Sequence, residues 1–256
     1  QAVQMSREQG DVIVIGAGPS GTMAASRLAD LGHRVTVVER THFPRFMIGE
    51  SLLPLSMGHW DKVGLLPALM DRGYAVKQGA RFIRKHEVFD LSFAENFTEG
   101  WTWTWQVPRA DFDKTLADAT EKKGVRILYG HEVVSVDLSG PGRVELVARC
   151  GDEEVRIEGG FLIDSSGYGG VLVKLLGLKD ERTGNGRMAM FTHVSETEAF
   201  RSGVTDPMQI AFEIVDTDLW SWCIPFSNEV TSLGFVGHER HFEGLGDLTD
   251  TLAAFN

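Results

Sequence analysis

Gly16, Gly18 and Gly21 stand at G-x-G-x-x-G spacing, and Glu39 closes the next apolar run. These residue types together can hold a dinucleotide. The first glycine makes a tight turn, the second lets a diphosphate reach the backbone, and the third lets the following helix lie close to the strand before it. Pro19-Ser20 opens that helix, whose free N–H groups and dipole favour an anion. The Glu39 carboxylate can accept from both hydroxyls of an adenosine ribose and would repel a 2′-phosphate. The alternative is a glycine-rich turn that has lost its ligand. A second chemistry-bearing stretch is Trp220-Ser221-Trp222-Cys223-Ile224-Pro225. Alternation on a strand puts both indoles on one face, where spacing alone favours a core role.

The elements needed to position these groups follow from the hydrophobic pattern. Asp11 to Gly16 reads as a strand buried on both faces. A helix from Pro19 follows, with Met23, Leu28 and Leu31 along one side and Gly32 at its end, and Arg34 to Val38 forms the next strand. Residues 40–54 are too irregular for either element and read as a loop returning towards the nucleotide. Residues 52–71 have helical spacing, broken near Gly64, with Leu55 and Met70 on the apolar side. GARFIRK, EVFDLSF and WTWTWQVP alternate as strands. Arg109 sits at a strand-to-helix junction, before a helix lined by Phe112, Leu116 and Ala119. Val125 to Leu128 reads as a return to the nucleotide-binding sheet. Residues 131–163 read as a three-stranded meander ending at Asp164, followed by a short helix over 171–176. Four strands follow, over 187–194, 208–215, 219–225 and 230–236.

The resulting fold class is α/β: a Rossmann-like dinucleotide-binding domain with an inserted mixed or antiparallel β-sheet on the substrate side. The boundaries are a disordered leader at 1–10, a nucleotide domain of 11–75 plus 108–182, a substrate-side sheet region of 76–107 plus 183–245, and the start of a C-terminal helix at 246–256. The 256 residues carry 25 Lys plus Arg against 36 Asp plus Glu, a net charge of −11. That balance argues against nucleic acid or an anionic membrane as partner. Cys150 and Cys223 are in no metal-type spacing, so no metal is expected, and they read as free thiols of a cytoplasmic protein.

Four pieces together resemble the flavin-dependent halogenases, a branch of the FAD-dependent aromatic monooxygenase superfamily. They are the glycine loop with Glu39, the loop Phe43-Pro44-Arg45-Phe46-Met47-Ile48-Gly49-Glu50-Ser51-Leu52-Leu53-Pro54, the Asp164-Ser165-Ser166-Gly167 element, and the W-x-W-x-I-P of residues 220–225. The resemblance spans about residues 10–245 and implies FAD, used as FADH2, as cofactor. It implies that Gly16, Gly18, Ser20 and Gly21 cradle the diphosphate, Glu39 takes the ribose, and Arg40 covers the adenine. Arg45, Ile48, Gly49, Glu50 and Ser51 would meet the flavin half, and Arg109 the ribityl-phosphate stretch. Val133 would offer backbone to adenine, and Asp164 and Gly167 would close the site.

The implied reaction consumes FADH2, O2 and a chloride or bromide ion. A buried lysine, here Lys77, would hold the resulting hypohalous species for attack by an electron-rich aromatic ring, whereas the ordinary fate of such a lysine is an exposed strand position. The ring would be a phenol or pyrrole, free or tethered to a carrier protein, and a separate flavin reductase would supply FADH2. Trp220, Trp222, Ile224 and Pro225 would keep this substrate away from the flavin. The family's later Gly-Asp-Ala element and its Ser- or Thr-Gly region for halide do not occur in these residues, so the resemblance is to the N-terminal two-thirds or so of such a protein. The competing expectations are a monooxygenase or reductase of the same superfamily and a non-catalytic flavin-binding fragment.

Overall fold

The computed structural model describes residues 6–178, 186–198 and 209–244. The chain opens with β1 (Ser6–Gln9), β2 (Val12–Ile15), α1 (Pro19–Asp30), β3 (Val35–Glu39), α2 (Pro54–Lys62) and α3 (Leu66–Met70). It continues through β4 (Ala75–Lys77), β5 (Gly79–Arg84), β6 (Glu87–Ser92), β7 (Thr104–Gln106), α4 (Arg109–Glu121), β8 (Arg126–Tyr129), β9 (Glu132–Asp137) and β10 (Val144–Cys150). It then runs through β11 (Glu153–Gly159), β12 (Phe161–Asp164), α5 (Val171–Leu175), β13 (Arg187–Ser195), β14 (Gln209–Asp216), β15 (Leu219–Pro225) and β16 (Val230–His238). The described residues fall into two compact units. One lies within Gln1–Ile48, His59–Asp71 and Arg109–Glu181, the other within Gly49–Gly58, Arg72–Pro108 and Arg182–Asn256.

The first unit is built on a parallel sheet in the order β12-β2-β3-β8. Strands β2 and β3 are buried along their whole length, as a parallel sheet covered on both faces requires. Because side chains alternate, Val12, Val14, Val35 and Val37 pack with Ala25 and Ala117 of the helices. Ile13, Ile15 and Val38 pack instead against Leu146, Ala148 and Ile157 of the second sheet, which runs β1-β11-β10-β9.

Three local expectations change here. Residues 6–9, assigned to a disordered leader, form β1 and pair in parallel with β11 from Ser6↔Val155 to Gln9↔Glu158. The last strand of the expected meander is two strands, broken at Gly159-Gly160. β11 stays in the meander while β12 joins β2 in the parallel sheet. The fully buried side of α1 consists of Gly21, Thr22, Ala25 and Ser26; Leu28 packs half-buried against the same core, Met23 is half-buried, and Leu31 is exposed. Close approach is the reason: a Cβ on Gly21 would lie 1.9 Å from the Gly16 carbonyl oxygen, and Ser26 Oγ meets Thr120 Oγ1 of α4 at 3.1 Å.

The second unit holds a six-stranded sheet ordered β13-β16-β15-β14-β5-β6, antiparallel except for the β14–β5 pair. Ala80, Ile210, Ile224 and Phe226 form a core, with Phe82, Phe212 and Trp222 packed on it. A smaller antiparallel ladder pairs β4 with β7. Only Thr104–Gln106 of the expected 101–107 strand is in register there.

Ser51 extends the small ladder through a bridge to Gln106, with Leu52 N donating to Trp105 O and Val107 N to Glu50 O. These bonds are why residues 49–58 belong with the second unit, whereas the sequence pattern groups them with the nucleotide domain. The helix expected over 52–71 starts at Pro54 and divides at Gly64, whose φ of +66° favours glycine. Leu55 and Met70, expected on its apolar side, are 77% and 50% exposed. The helix expected from 246 and the domain boundary at 182–183 lie outside the described residues.

Candidate functional site

In the first unit, the turn between β2 and α1 is shaped to receive an anion. Gly16 has φ +97°, and a Cβ there would lie 2.6 Å from Ser165 O. Gly18 caps α1 with no side chain bonded to the helix N–H groups, and Ser20 is exposed in the first turn. The nearest atom to a Cβ on Gly18 is Arg45 Nη2, at 3.5 Å. That guanidinium sits 4.8 Å from the Phe43 ring centroid and pairs with Asp113 through Nη2 at 3.1 Å. Its Nη1 is buried with no hydrogen-bond partner. An open glycine, an uncapped helix start and an unpartnered guanidinium nitrogen fit a bound diphosphate.

Glu39 is buried and already engaged. Its Oε2 accepts from Ala17 N at 2.9 Å, and its Oε1 from Thr41 N and Thr41 Oγ1 at 3.0 and 2.7 Å. A carboxylate offers about four lone-pair sites, so Glu39 fastens the glycine loop and keeps about one further acceptor site. Arg40 lines a cleft of about 380 Å³ with Thr41, Gly130, Glu132, Arg149 and Gly151. Val133 follows Glu132 of this lining on β9 and packs half-buried against the core of the second sheet. Arg149, which no sequence pattern singles out, is brought there by the β9–β10 pairing (Arg149↔Glu132).

Arg109 donates from Nη1 to Ile48 O at 2.7 Å and grips Asp113 with Nε at 2.7 Å and Nη2 at 3.0 Å. Asp113 is fully buried and serves both Arg45 and Arg109. Sequence reasoning missed it. The available signal was its i, i+4 spacing from Arg109 on a helix. Asp164 closes the next turn, accepting from Ser166 N at 2.9 Å and Leu172 N at 2.8 Å. Burial works to raise its pKa, but the hydrogen bonds from Ser166 and Leu172 outweigh burial and hold it below the usual carboxylate range. Gly167 follows at φ +57°.

In the second unit, Gly49 takes φ +94°, and Glu50 is buried with Oε1 2.5 Å from His193 Nε2. His193 is another residue the sequence did not single out. Lys77 is 4% exposed. Its Nζ donates to Leu52 O at 2.8 Å and lies 5.2 Å from the Phe93 ring centroid. Among the described residues it has no carboxylate partner. Burial alone lowers its pKa to about 8.

Trp220 and Trp222 are half-buried, 6.1 Å apart by ring centroid, in a cluster with Phe212 and Phe191. Trp222 Nε1 donates to Ser232 Oγ at 3.0 Å. Ile224 and Pro225 are buried. The link from this strand to the Lys77 ladder is Gln106 Nε2 donating to Pro225 O at 2.9 Å.

The Lys77 environment predicts a pH signature. Unfolded, a lysine keeps its proton to about pH 10.4; folded, Lys77 releases it near 8. Between these values the unfolded chain binds more protons, so stability rises with pH, by about 3 kcal/mol across the window. Urea unfolding at pH 8 and 10.5 should show this rise in the parent and lose it in Lys77→Met. Equal pH slopes in the two proteins would refute a desolvated ammonium.

The FAD binding domain family matches residues 9–233. The chain is 27% identical over 267 residues to the 1H-pyrrole-2-carbonyl-[peptidyl-carrier protein] chlorinase of Pseudomonas fluorescens, covering 96% of this chain and 59% of that protein. It superposes on a flavoprotein/dehydrogenase from Cytophaga hutchinsonii with TM-score 0.87 and 41% identity, covering 92% of this chain and 57% of that one. It superposes on the flavin-dependent halogenase CmlS with TM-score 0.83 and 29% identity, covering 96% and 44% respectively. The chain thus spans about half the length of these proteins. Among the described residues no helix is long and apolar enough to cross a membrane.

Proposed function

The chain belongs to the FAD binding domain family, and from that premise we propose that it forms part of a flavin-dependent halogenase acting on an electron-rich aromatic of phenol or pyrrole type. Bound reduced FAD, together with O2, supplies the oxidation that turns chloride or bromide into hypohalous acid. On this reading the glycine loop and Arg45 hold the cofactor's diphosphate, and Glu39 takes one ribose hydroxyl. Arg109 and Asp113 fix the Ile48 carbonyl, and Asp164 fixes the turn through Gly167.

The observation that carries the reading is Lys77, a buried ammonium with a carbonyl neighbour and no carboxylate partner among the described residues. Lys77 is mostly protonated at neutral pH and donates to the oxygen of the hypohalous acid. As a ring carbon attacks the halogen, the carbon–halogen bond forms and the oxygen–halogen bond breaks. The Lys77 proton completes water, and the ring proton returns to the amine. Proton transfers by a positioned group of this kind contribute about 10²–10⁴ in rate. On this reading the role of Trp220 and Trp222, with Ile224 and Pro225, is to keep the substrate from direct reaction with the flavin.

The similarity to a chlorinase named for a carrier-bound pyrrole supports a tethered substrate. A flavin reductase is the electron source, and the two free thiols suit the cytoplasm. A second reading, an FAD-dependent oxidoreductase without halogenation, draws on the likeness to a flavoprotein/dehydrogenase. The full-length protein, incubated with flavin reductase, NADH, FAD, bromide and a carrier-bound pyrrole or a phenol, decides between them. The bromine isotope doublet in the product mass spectrum is expected. A hydroxylated or dehydrogenated product in its place would establish the second reading.

A further inference from the structure

The two tryptophans of β15 are held in different ways, and β16 makes the difference. One residue from each strand of the six-stranded sheet stands in a cross-strand row: Phe89, Phe82, Phe212, Trp222, Gly234 and Phe191. Residues directly opposite share a face, so aromatic side chains line up across the sheet with one gap, at Gly234. The Trp222 indole fills that gap. A Cβ on Gly234 would lie 2.5 Å from Trp222 Cη2 and 2.7 Å from Phe191 Cβ. Gly234 sits in strand β16 without a positive φ. Space, not conformation, is what calls for glycine, as where another group approaches a strand closely.

The ring is tethered as well as seated. Ser232 stands opposite Ile224, which puts it diagonally from Trp222 on the same face. It is 0% exposed, and its Oγ accepts from Trp222 Nε1 at 3.0 Å. Phe191 flanks the indole from β13, at 6.1 Å between centroids and 31° between planes. Trp220 has no such seat. It stands opposite Val236, whose branched side chain occupies the place that Gly234 leaves open, and it meets Phe212 edge-on at 5.5 Å and 69°.

We propose that Ser232 and Gly234 are positioning residues: they hold Trp222 as the fixed ring of the pair, and that fixed ring decides which product forms. The inference rests on the halogenase reading and deepens it, by assigning the separation of substrate from flavin to the orientation of one indole. With the indole displaced, direct oxygenation competes. One atom of O2 then enters a ring C–H bond as hydroxyl, and the other leaves as water with the two hydrogens that FADH2 gives up.

In the nitrogen-15-labelled full-length protein, the Trp222 indole N–H is identified by its loss in Trp222→Leu. Its hydrogen exchange is followed without FAD or substrate. Ser232→Ala removes one hydrogen bond and should speed this exchange about fivefold. Gly234→Ala evicts the ring and should abolish the protection. With flavin reductase, NADH, FAD, bromide and the aromatic substrate, the ratio of hydroxylated to brominated product should rise about fivefold in Ser232→Ala, and further in Gly234→Ala. A general loss of fold would lower both products and leave their ratio unchanged. Because both residues act through the indole, Gly234→Ala in a Trp222→Leu background should change the ratio no further. Parental exchange in Ser232→Ala or Gly234→Ala would overturn the seat. A parental product ratio in both variants, or an added effect of Gly234→Ala in the absence of the indole, would overturn its control of the product. A parent that makes no brominated product would sink the halogenase reading and the product control with it, while the exchange data still decide the seat.

Discussion

Lys77→Ala should leave FAD binding and oxygen consumption intact while halogenated product falls by at least 10²–10⁴. The separation follows from position. Lys77 lies in the second unit, on the β4–β7 ladder, and makes none of the contacts that hold the glycine loop, Glu39 or Asp113. Removing a 4%-exposed aliphatic stem also leaves a cavity, so Lys77→Met, which keeps most of the stem, is the companion variant. It should be at least as stable as the parent below pH 8, where the parent carries the desolvated charge, and still make almost no product. Lys114, an exposed partner of Asp118, is the control, since surface pairs of this kind contribute about 0–1 kcal/mol. Halogenation at the parental rate by both Lys77 variants, with a hypohalite scavenger present, would remove Lys77 from the chemistry.

Asp113→Asn should be the most destabilising single change in the nucleotide unit, costing about 3–5 kcal/mol. Its carboxylate is fully buried and pairs with two guanidiniums that are only 14% and 11% exposed. Breaking such a triad by removing its anion leaves two cations facing each other in a water-poor interior. Arg45→Met, which leaves the Arg109–Asp113 pair intact, should cost far less. The loss should reach the cofactor too. Arg109 without Asp113 no longer holds Ile48 O in place, and Arg45 no longer keeps its guanidinium beside Gly18, so FAD affinity should fall at least tenfold. Urea unfolding and flavin fluorescence titration measure both effects. A change under 1 kcal/mol in Asp113→Asn would refute the triad as the brace of this site.

His193 and Asp113 show why part of the site was not legible in the chain. Each is a common residue with no local pattern to mark it. Asp113 gains its meaning from two arginines, one of them reached only through the loop before Ile48. His193 meets Glu50 across a separation of 143 residues. No window of local sequence carries such a pair, because the tertiary fold alone sets which distant groups share a low-dielectric pocket.

What the sequence by itself determined is the nucleotide end of the protein. Gly16, Gly18, Gly21 and Glu39 have roles dictated by backbone sterics within one β-α-β stretch, and local sterics are readable from local sequence. The strands of the six-stranded sheet were equally legible, because alternation of apolar residues is a short-range signal. Tertiary structure decided the rest. It drew Ser6–Gln9 into a sheet through pairing with β11, moved residues 49–58 onto β7 through backbone hydrogen bonds, and turned the small face of α1 inward where Gly21 comes against the Gly16 carbonyl. It also converted Lys77 from a strand lysine, whose ordinary fate is exposure, into a buried ammonium. That last change depends on β7 and the Ser51 segment closing over it, and desolvation is a property of the assembled surroundings, not of the residue.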